Sequence, residues 1–196
     1  MQIAILGNGN MGAPLARILK DAGHDVASFG SKDDPLDGLA SADLVVLALK
    51  YEQALAVAAQ PGVAGALAGK TVIDITNPLA PDFMSLTVGH ETSGAEEIAR
   101  ALPQSQVVKA FNTIFASVLA DHADGKTCTL PVFVVGDDPA AVDDVVALVQ
   151  DMNLVALRAG SLSNARYLEP MTEMMIQFGY GLGHGDRVGF ILSEAA

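Results

Sequence analysis

The first apolar run of the chain ends in a glycine turn. Ile3-Ala4-Ile5-Leu6 leads straight into Gly7-Asn8-Gly9-Asn10-Met11-Gly12, and Ala13-Pro14-Leu15-Ala16-Arg17-Ile18-Leu19 then takes up a helical apolar period. Few folds accommodate such a junction. Glycine at the first position permits a tight turn, at the third it lets another group approach the main chain, and at the sixth it lets helix pack closely on strand. The helix that follows begins with unpaired N–H groups and the positive end of its dipole. Gly7, Asn8, Gly9, Asn10, Met11 and Gly12 are therefore expected to hold an anion. Between a strand and a helix, the expected anion is the pyrophosphate of a dinucleotide. A purely structural turn built from the same residues is the plain alternative.

The remainder of the chain repeats this alternation. Short apolar runs predict strands at about 2–6, 25–29, 43–49, 70–76, 106–110, 131–135 and 153–158. Helices are predicted at about 11–22, 51–59, 92–102, 115–121, 138–150 and 163–178. Runs such as Leu44-Val45-Val46-Leu47 and Val132-Phe133-Val134-Val135 are continuous rather than alternating, as in a parallel sheet covered on both faces. The fold class is α/β, a Rossmann-type doubly wound and mostly parallel sheet. The connection from Phe29 to Asp43 is too short for a full crossover helix and predicts a loop or a short helical turn. No linker divides the chain, so 1–196 reads as one dinucleotide-binding domain with an extension from about 160, ending in a helix and a short strand at Val188-Gly189-Phe190-Ile191.

Composition excludes several classes of function. Apolar residues make up 51% and charged residues 17%, which is not the signature of a disordered chain. The net charge of −12 repels nucleic-acid backbones and anionic lipid surfaces, so neither is an expected partner. Cys128 is the sole cysteine, which excludes an intrachain disulfide and leaves no thiolate cluster for zinc. With neither a signal-like start nor a long apolar stretch, a cytoplasmic protein is expected. His24, His90, His122 and His184 form no metal-ligand or triad pattern, and no GxSxG or HExxH motif occurs, so no metal site and no hydrolase centre is expected.

The end of the second strand selects between dinucleotides. Gly30-Ser31-Lys32 offers a hydroxyl and a cation about where an NAD enzyme places a carboxylate for the ribose 2′-hydroxyl. Ser31 and Lys32 therefore point to the 2′-phosphate of NADP. The alternative is a longer strand in which Asp33 or Asp34 binds the ribose and Lys32 is merely solvated.

Three further stretches follow strands, where open α/β sheets bind their ligands. Leu49-Lys50-Tyr51 and Asn77-Pro78-Leu79 are candidate cofactor contacts; a solvated lysine and an ordinary Asn-Pro turn are the competing readings. Lys109-Ala110-Phe111-Asn112-Thr113-Ile114-Phe115 could receive a flat ring, with Phe111, Asn112 and Thr113 as candidate substrate contacts. Phe111 and Phe115 would equally suit the core, whereas Asn112 and Thr113 are unusual there.

Taken together with Ser93-Gly94-Ala95-Glu96, Gly136-Asp137-Asp138 and Gly160-Ser161-Leu162-Ser163-Asn164-Ala165-Arg166, these motifs resemble the coenzyme F420-dependent NADP oxidoreductase family over nearly the whole chain. The resemblance implies a Rossmann fold that exchanges a hydride between NADP(H) and a deazaflavin, commonly as a homodimer. It also implies that Gly9 to Gly12 hold the pyrophosphate, Ser31 and Lys32 the 2′-phosphate, and that Pro78, Leu79 and Thr113 lie near the nicotinamide. Lys32 stands where the archaeal pattern has arginine, Asn112-Thr113-Ile114-Phe115 replaces a His-Thr-Ile-Pro run, and the 30–42 connection is shortened. The first change keeps the cation and loses the fork. The second alters the presumed ring-binding face, so coenzyme F420 and a flavin both stand as acceptors.

Hydride transfer demands that two rings be held close and aligned, with most of the chemistry in the cofactors, so no catalytic acid is expected. The chain has no room for the large helical domain that completes the substrate site of imine and hydroxyacid reductases. Met174, Met175 and Phe178 fit core filling, a cover for the crevice or a dimer contact. A non-catalytic NADP-binding sensor would carry the same cofactor motifs and is the rival from another class.

Overall fold

The computed structural model describes residues 1–195. Seven strands form one sheet in the order β2-β1-β3-β4-β5-β6-β7: β1 (Gln2–Leu6), β2 (Asp25–Phe29), β3 (Leu44–Leu47), β4 (Thr71–Asp74), β5 (Gln106–Lys109), β6 (Pro131–Gly136) and β7 (Val155–Arg158). β1 to β5 are parallel, β6 runs antiparallel to β5, and β7 is parallel to β6. Continuous apolar strands are thus covered on both faces. Ile3, Ile5, Val46, Ile73 and Val108 face one core layer, while Ala4, Leu6, Val45, Leu47 and Val72 face the other.

Eight α-helices complete the layers: α1 (Gly12–Asp21), α2 (Leu36–Ser41), α3 (Tyr51–Ala58), α4 (Pro61–Leu67), α5 (Gly94–Ala101), α6 (Ala116–Ala123), α7 (Pro139–Asp151) and α8 (Ala165–Ile176). Local chemistry starts two of them: Ser93 Oγ accepts from Glu96 N at the head of α5, and Asp138 accepts from Ala141 N ahead of Pro139 in α7. α2 is the short helical turn expected in the 30–42 connection. It fits because Gly38 leaves room for the Phe29 ring, whose Cζ lies 2.1 Å from where a β-carbon would stand.

One helix was not foreseen and one expected strand is corrected. The segment 61–67 is helical although Gly62 and Gly65 depress helix propensity; Pro61 at its first turn and the burial of Val63 and Leu67 outweigh that. Val188–Ile191 is not a strand. That segment crosses α6 instead: Ser117 Oγ donates to Asp186 O, Arg187 pairs with Asp121, and Gly189 packs on Leu130. α8 ends near the expected place and continues as one wide helical turn over Gln177–Gly181.

The chain leaves β1 toward β2 and returns to β3 on the opposite side of β1. That reversal opens a crevice beyond the carboxyl ends of β1 and β3, where sheets of this class bind ligands.

Candidate functional site

The glycine turn lies at this crevice. Gly7 has φ +108°, donates its N–H to Phe29 O at 2.8 Å, and has no room for a side chain, since a β-carbon would lie 2.1 Å from Ala48 O. At Gly12 a β-carbon would stand 1.9 Å from Gly7 O, so helix and turn meet only because the residue is glycine. At Gly9 nothing lies within 4 Å, and Asn8, Gly9 and Asn10 are exposed. Among the described residues, the N–H groups of Asn8 to Met11 donate to no carbonyl or side chain. This is an open cradle of donors at a helix start, and it fits a phosphate group.

A cleft of about 530 Å³ continues from the turn across the end of β2, with Leu36, Leu49 and Val57 as apolar walls and Gly7, Gly30 and Ser31 along its edge. Its size and its apolar walls suit an adenosine moiety. Both carboxylates of the competing NAD reading also line this cleft, each with one oxygen bonded to the main chain. Asp33 accepts from Gly30 N at 2.6 Å, and Asp34 accepts from Leu36 N at 3.1 Å, closing the turn into α2. Ser31 and Lys32 are exposed beside them, and among the described residues Lys32 makes no ion pair or side-chain hydrogen bond. The amide of Asn8 lies against Gly30, joining the two loops.

Beyond β4 and β5 the crevice floor is built from side chains. Asn112 Nδ2 lies within 3.0–3.1 Å of Asn77 Oδ1, Leu168 O and Thr172 Oγ1, and Asn77 Nδ2 donates to Asn112 O at 3.2 Å. Thr172 Oγ1 lies 3.1 Å from Asn112 O and 3.0 Å from Leu168 O. This network ties α8 to the ends of β4 and β5. Asn112 Oδ1, Thr113 Oγ1 and Thr76 Oγ1 are buried without a partner, an expensive state that marks a polar floor. Pro78 is buried with its carbonyl capped by Thr87, and Leu79 is half-buried, bridged to Leu86.

The ring of Phe111 belongs to the core, 2% exposed, which takes its side chain off the candidate ring-binding face. Its backbone matters instead: φ +61° at a bulky residue is strained and turns the chain at the end of β5, ahead of the buried Asn112 and Thr113. Tyr51 is likewise buried, and its hydroxyl donates to Glu97 at 2.6 Å. Burial, with that carboxylate, pushes its pKa well above the usual value. Lys50 is exposed at the start of α3.

Sequence reasoning missed the ion cluster beneath this floor. Lys109 Nζ lies 2.7 Å from Asp74 Oδ2, 2.9 Å from Glu169 Oε1 and 2.8 Å from Thr76 O, with all three side chains buried. Glu169 also accepts from the N–H groups of Gly94 and Ala95 at the start of α5. Burial opposes the lysine's charge, but Asp74 and Glu169 outweigh it and hold its pKa above that of a free lysine. A signal was available: Asp74 and Lys109 close neighbouring apolar strands and are register partners.

The sequence profile of the NAD binding domain of 6-phosphogluconate dehydrogenase matches residues 2–152. An F420-dependent NADP reductase from Methanocaldococcus jannaschii is 31% identical over 166 residues, covering 81% of this chain and 71% of that one. Metalloreductase STEAP3 from Rattus norvegicus is 29% identical over 184 residues, and this chain spans only 36% of its length. The crystal structure of a candidate F420-dependent NADP reductase from Arthrobacter sp. FB24 superposes with TM-score 0.86 at 29% identity, covering 99% of this chain and 100% of that one. By profile, relative and fold, this chain belongs to the F420-dependent NADP reductase family, built on that NAD-binding domain.

Proposed function

We propose that the protein is an NADP-linked oxidoreductase that exchanges a hydride between NADP(H) and a deazaflavin (coenzyme F420) or flavin-like ring. The observation that carries this reading is the unpaired donor cradle at Asn8–Met11, opening into a cleft whose two nearby aspartates are already bonded to the main chain. Gly9 to Gly12 hold the pyrophosphate, Ser31 and Lys32 the 2′-phosphate, Leu49 and its neighbours the adenosine, and Lys50 the phosphate from the side of β3.

When bound, the nicotinamide supplies a hydrogen with both electrons of its C4–H bond to the acceptor ring, which takes its second hydrogen as a proton from water. The protein's share is positioning. Asn77, Pro78, Leu79, Asn112 and Thr113 receive the nicotinamide, whose amide fits the partnerless Asn112 Oδ1 and Thr113 Oγ1. Phe115 and Tyr180, which meet edge to face at 5.7 Å, would offer an aromatic wall to an acceptor ring.

The finer assignments follow from the same reading. Cys128 is a free buried thiol, which suits the reducing cytoplasm. The exposed apolar residues Tyr167 and Met174, on the outward side of α8, provide a contact for a second copy. No helix of the described residues is long and apolar enough to cross a membrane.

The test is oxidation of NADPH, followed by loss of reduced-nicotinamide absorbance, with coenzyme F420, FMN and riboflavin. Acceleration by at least one ring is the expected result. Tight NADPH binding without turnover on any of them sinks the enzymatic reading in favour of a sensor.

A further inference from the structure

The turn that follows β2 is closed by two hydrogen bonds between the same pair of residues. Gly30 donates its N–H to Asp33 Oδ2 at 2.6 Å, and Asp33 donates its own N–H to Gly30 O at 3.2 Å. Ser31 and Lys32 lie inside that ring, so the carboxylate at position 33 sets how they are presented. The ring also rests on the glycine turn, since a β-carbon on Gly30 would stand 2.9 Å from Asn8 Nδ2.

The same carboxylate has a second face. Asp33 lines the cleft of about 530 Å³ together with Ser31, and among the described residues its Oδ1 accepts from no donor and pairs with no cation. One oxygen builds the turn, while the other leaves a negative charge in the wall of the cleft. Asp34 lines the cleft too, but its bond to Leu36 N at 3.1 Å closes the entry to α2, outside the 30–33 ring.

The two faces act in opposite directions on the two coenzymes. By holding the Ser31 hydroxyl and the Lys32 ammonium in place, the bonded oxygen favours a 2′-phosphate. The other oxygen repels that phosphate and suits the donating 2′-hydroxyl of an unphosphorylated ribose. Resting on the coenzyme assignment above, we propose that Asp33 sets the balance between NADP(H) and NAD(H). It positions the Ser31–Lys32 pair, and its charge holds the preference for the phosphorylated coenzyme below what that pair alone would give.

The test separates charge from position. Asp33→Asn keeps an oxygen for the Gly30 N–H and removes the charge. NADPH and NADH are each titrated into parent and variants, with reduced-nicotinamide fluorescence read at low and at high salt. In Asp33→Asn the NADPH-to-NADH affinity ratio is expected to rise roughly tenfold at low salt, and the gain to shrink as the screening length falls to roughly 3 Å in 1 M salt. Asp33→Ala removes the charge and the bond together and is expected to lose most of that gain. Asp34→Asn removes an equal charge from the same wall without opening the ring, and is expected to move the ratio less.

An unchanged or lowered ratio in Asp33→Asn, or a gain that ignores salt, overturns the charge role. A ratio in Asp33→Ala as high as that of Asp33→Asn overturns the positioning role. An equal shift from Asp34→Asn assigns the effect to the general field of the wall and overturns the proposal as well. In each of these cases Lys32→Asp still lowers the ratio, and the coenzyme reading stands. If the parent binds neither coenzyme, or Lys32→Asp leaves the ratio unaltered, that reading itself fails, and this proposal with it.

Discussion

Around the glycine turn the protein presents main-chain N–H groups with no partner among the described residues; around Asn112 it presents side chains already bonded to one another. The first surface recognises any phosphate of the right shape, because main-chain donors and a helix dipole read charge and distance. The second recognises by shape and polarity, and it must be held still from below. That support comes from Lys109, Asp74 and Glu169, which join β4, β5, α5 and α8 at one buried point. A short local stretch of sequence thus makes one half of the crevice, and residues up to 95 positions apart make the other.

The strongest way to separate the halves is Lys109→Met. It leaves two buried carboxylates uncompensated and is expected to cost about 3–5 kcal/mol, read as a lower midpoint in urea. If the support is local to the second half, NADPH affinity of the folded fraction stays near that of the parent while nicotinamide positioning suffers, lowering kcat more than KM changes. Combining it with Asp74→Asn and Glu169→Gln is expected to recover most of the lost stability, since the penalty lies in the unpaired charges.

Lys32→Asp addresses the other half. Loss of a charge-assisted bond contributing about 1.5–3 kcal/mol is expected to lower the NADPH-to-NADH affinity ratio by one to two decades, with stability unchanged. An unaltered ratio would refute the 2′-phosphate assignment. Gly12→Ala places a β-carbon 1.9 Å from Gly7 O and must push the helix off the turn. The expected cost is about 1–3 kcal/mol, seen as a tenfold or greater loss of affinity for NADPH and NADH alike.

The smallest effect concerns the tether between α5 and α8. Arg166 is the main cause holding the Glu96 carboxyl below the ordinary glutamate value, against some opposition from burial. A carboxylate depressed in the folded state stabilises above its unfolded pKa, and that contribution is lost as pH falls through the lower folded value. As pH falls below the ordinary glutamate range the parent is therefore expected to lose a small stabilisation that Glu96→Gln never had, so the two melting curves converge in acid.

Strand positions were legible in the chain because continuous apolar runs bounded by polar turns leave little freedom for a sheet buried on both faces. The glycine turn was legible for a related reason: its chemistry is main-chain chemistry, set by three glycines within six residues. The helix at 61–67 was hidden because its glycines argue locally against helix, and burial of Val63 and Leu67 decides otherwise. Tail residues 188–191 look like a strand by composition, yet among the described residues they pair with no edge, the chain ahead of them being held to α6 by Arg187 and Asp186 while Gly189 packs on Leu130. Phe111 reads equally as ring platform or core until the turn at φ +61° sends its side chain inward.

The sequence by itself determined the seven strands of the sheet and the glycine turn with its exposed main-chain donors, since each depends on neighbours within a few residues. Only the tertiary structure decided that Asp33 and Asp34 each accept a main-chain N–H, that Asn112 is gripped by α8, and that Lys109 stands between two buried acids. Those outcomes depend on which distant groups arrive together out of water, and the cost of burying an unpaired charge or amide then fixes the partner each one takes.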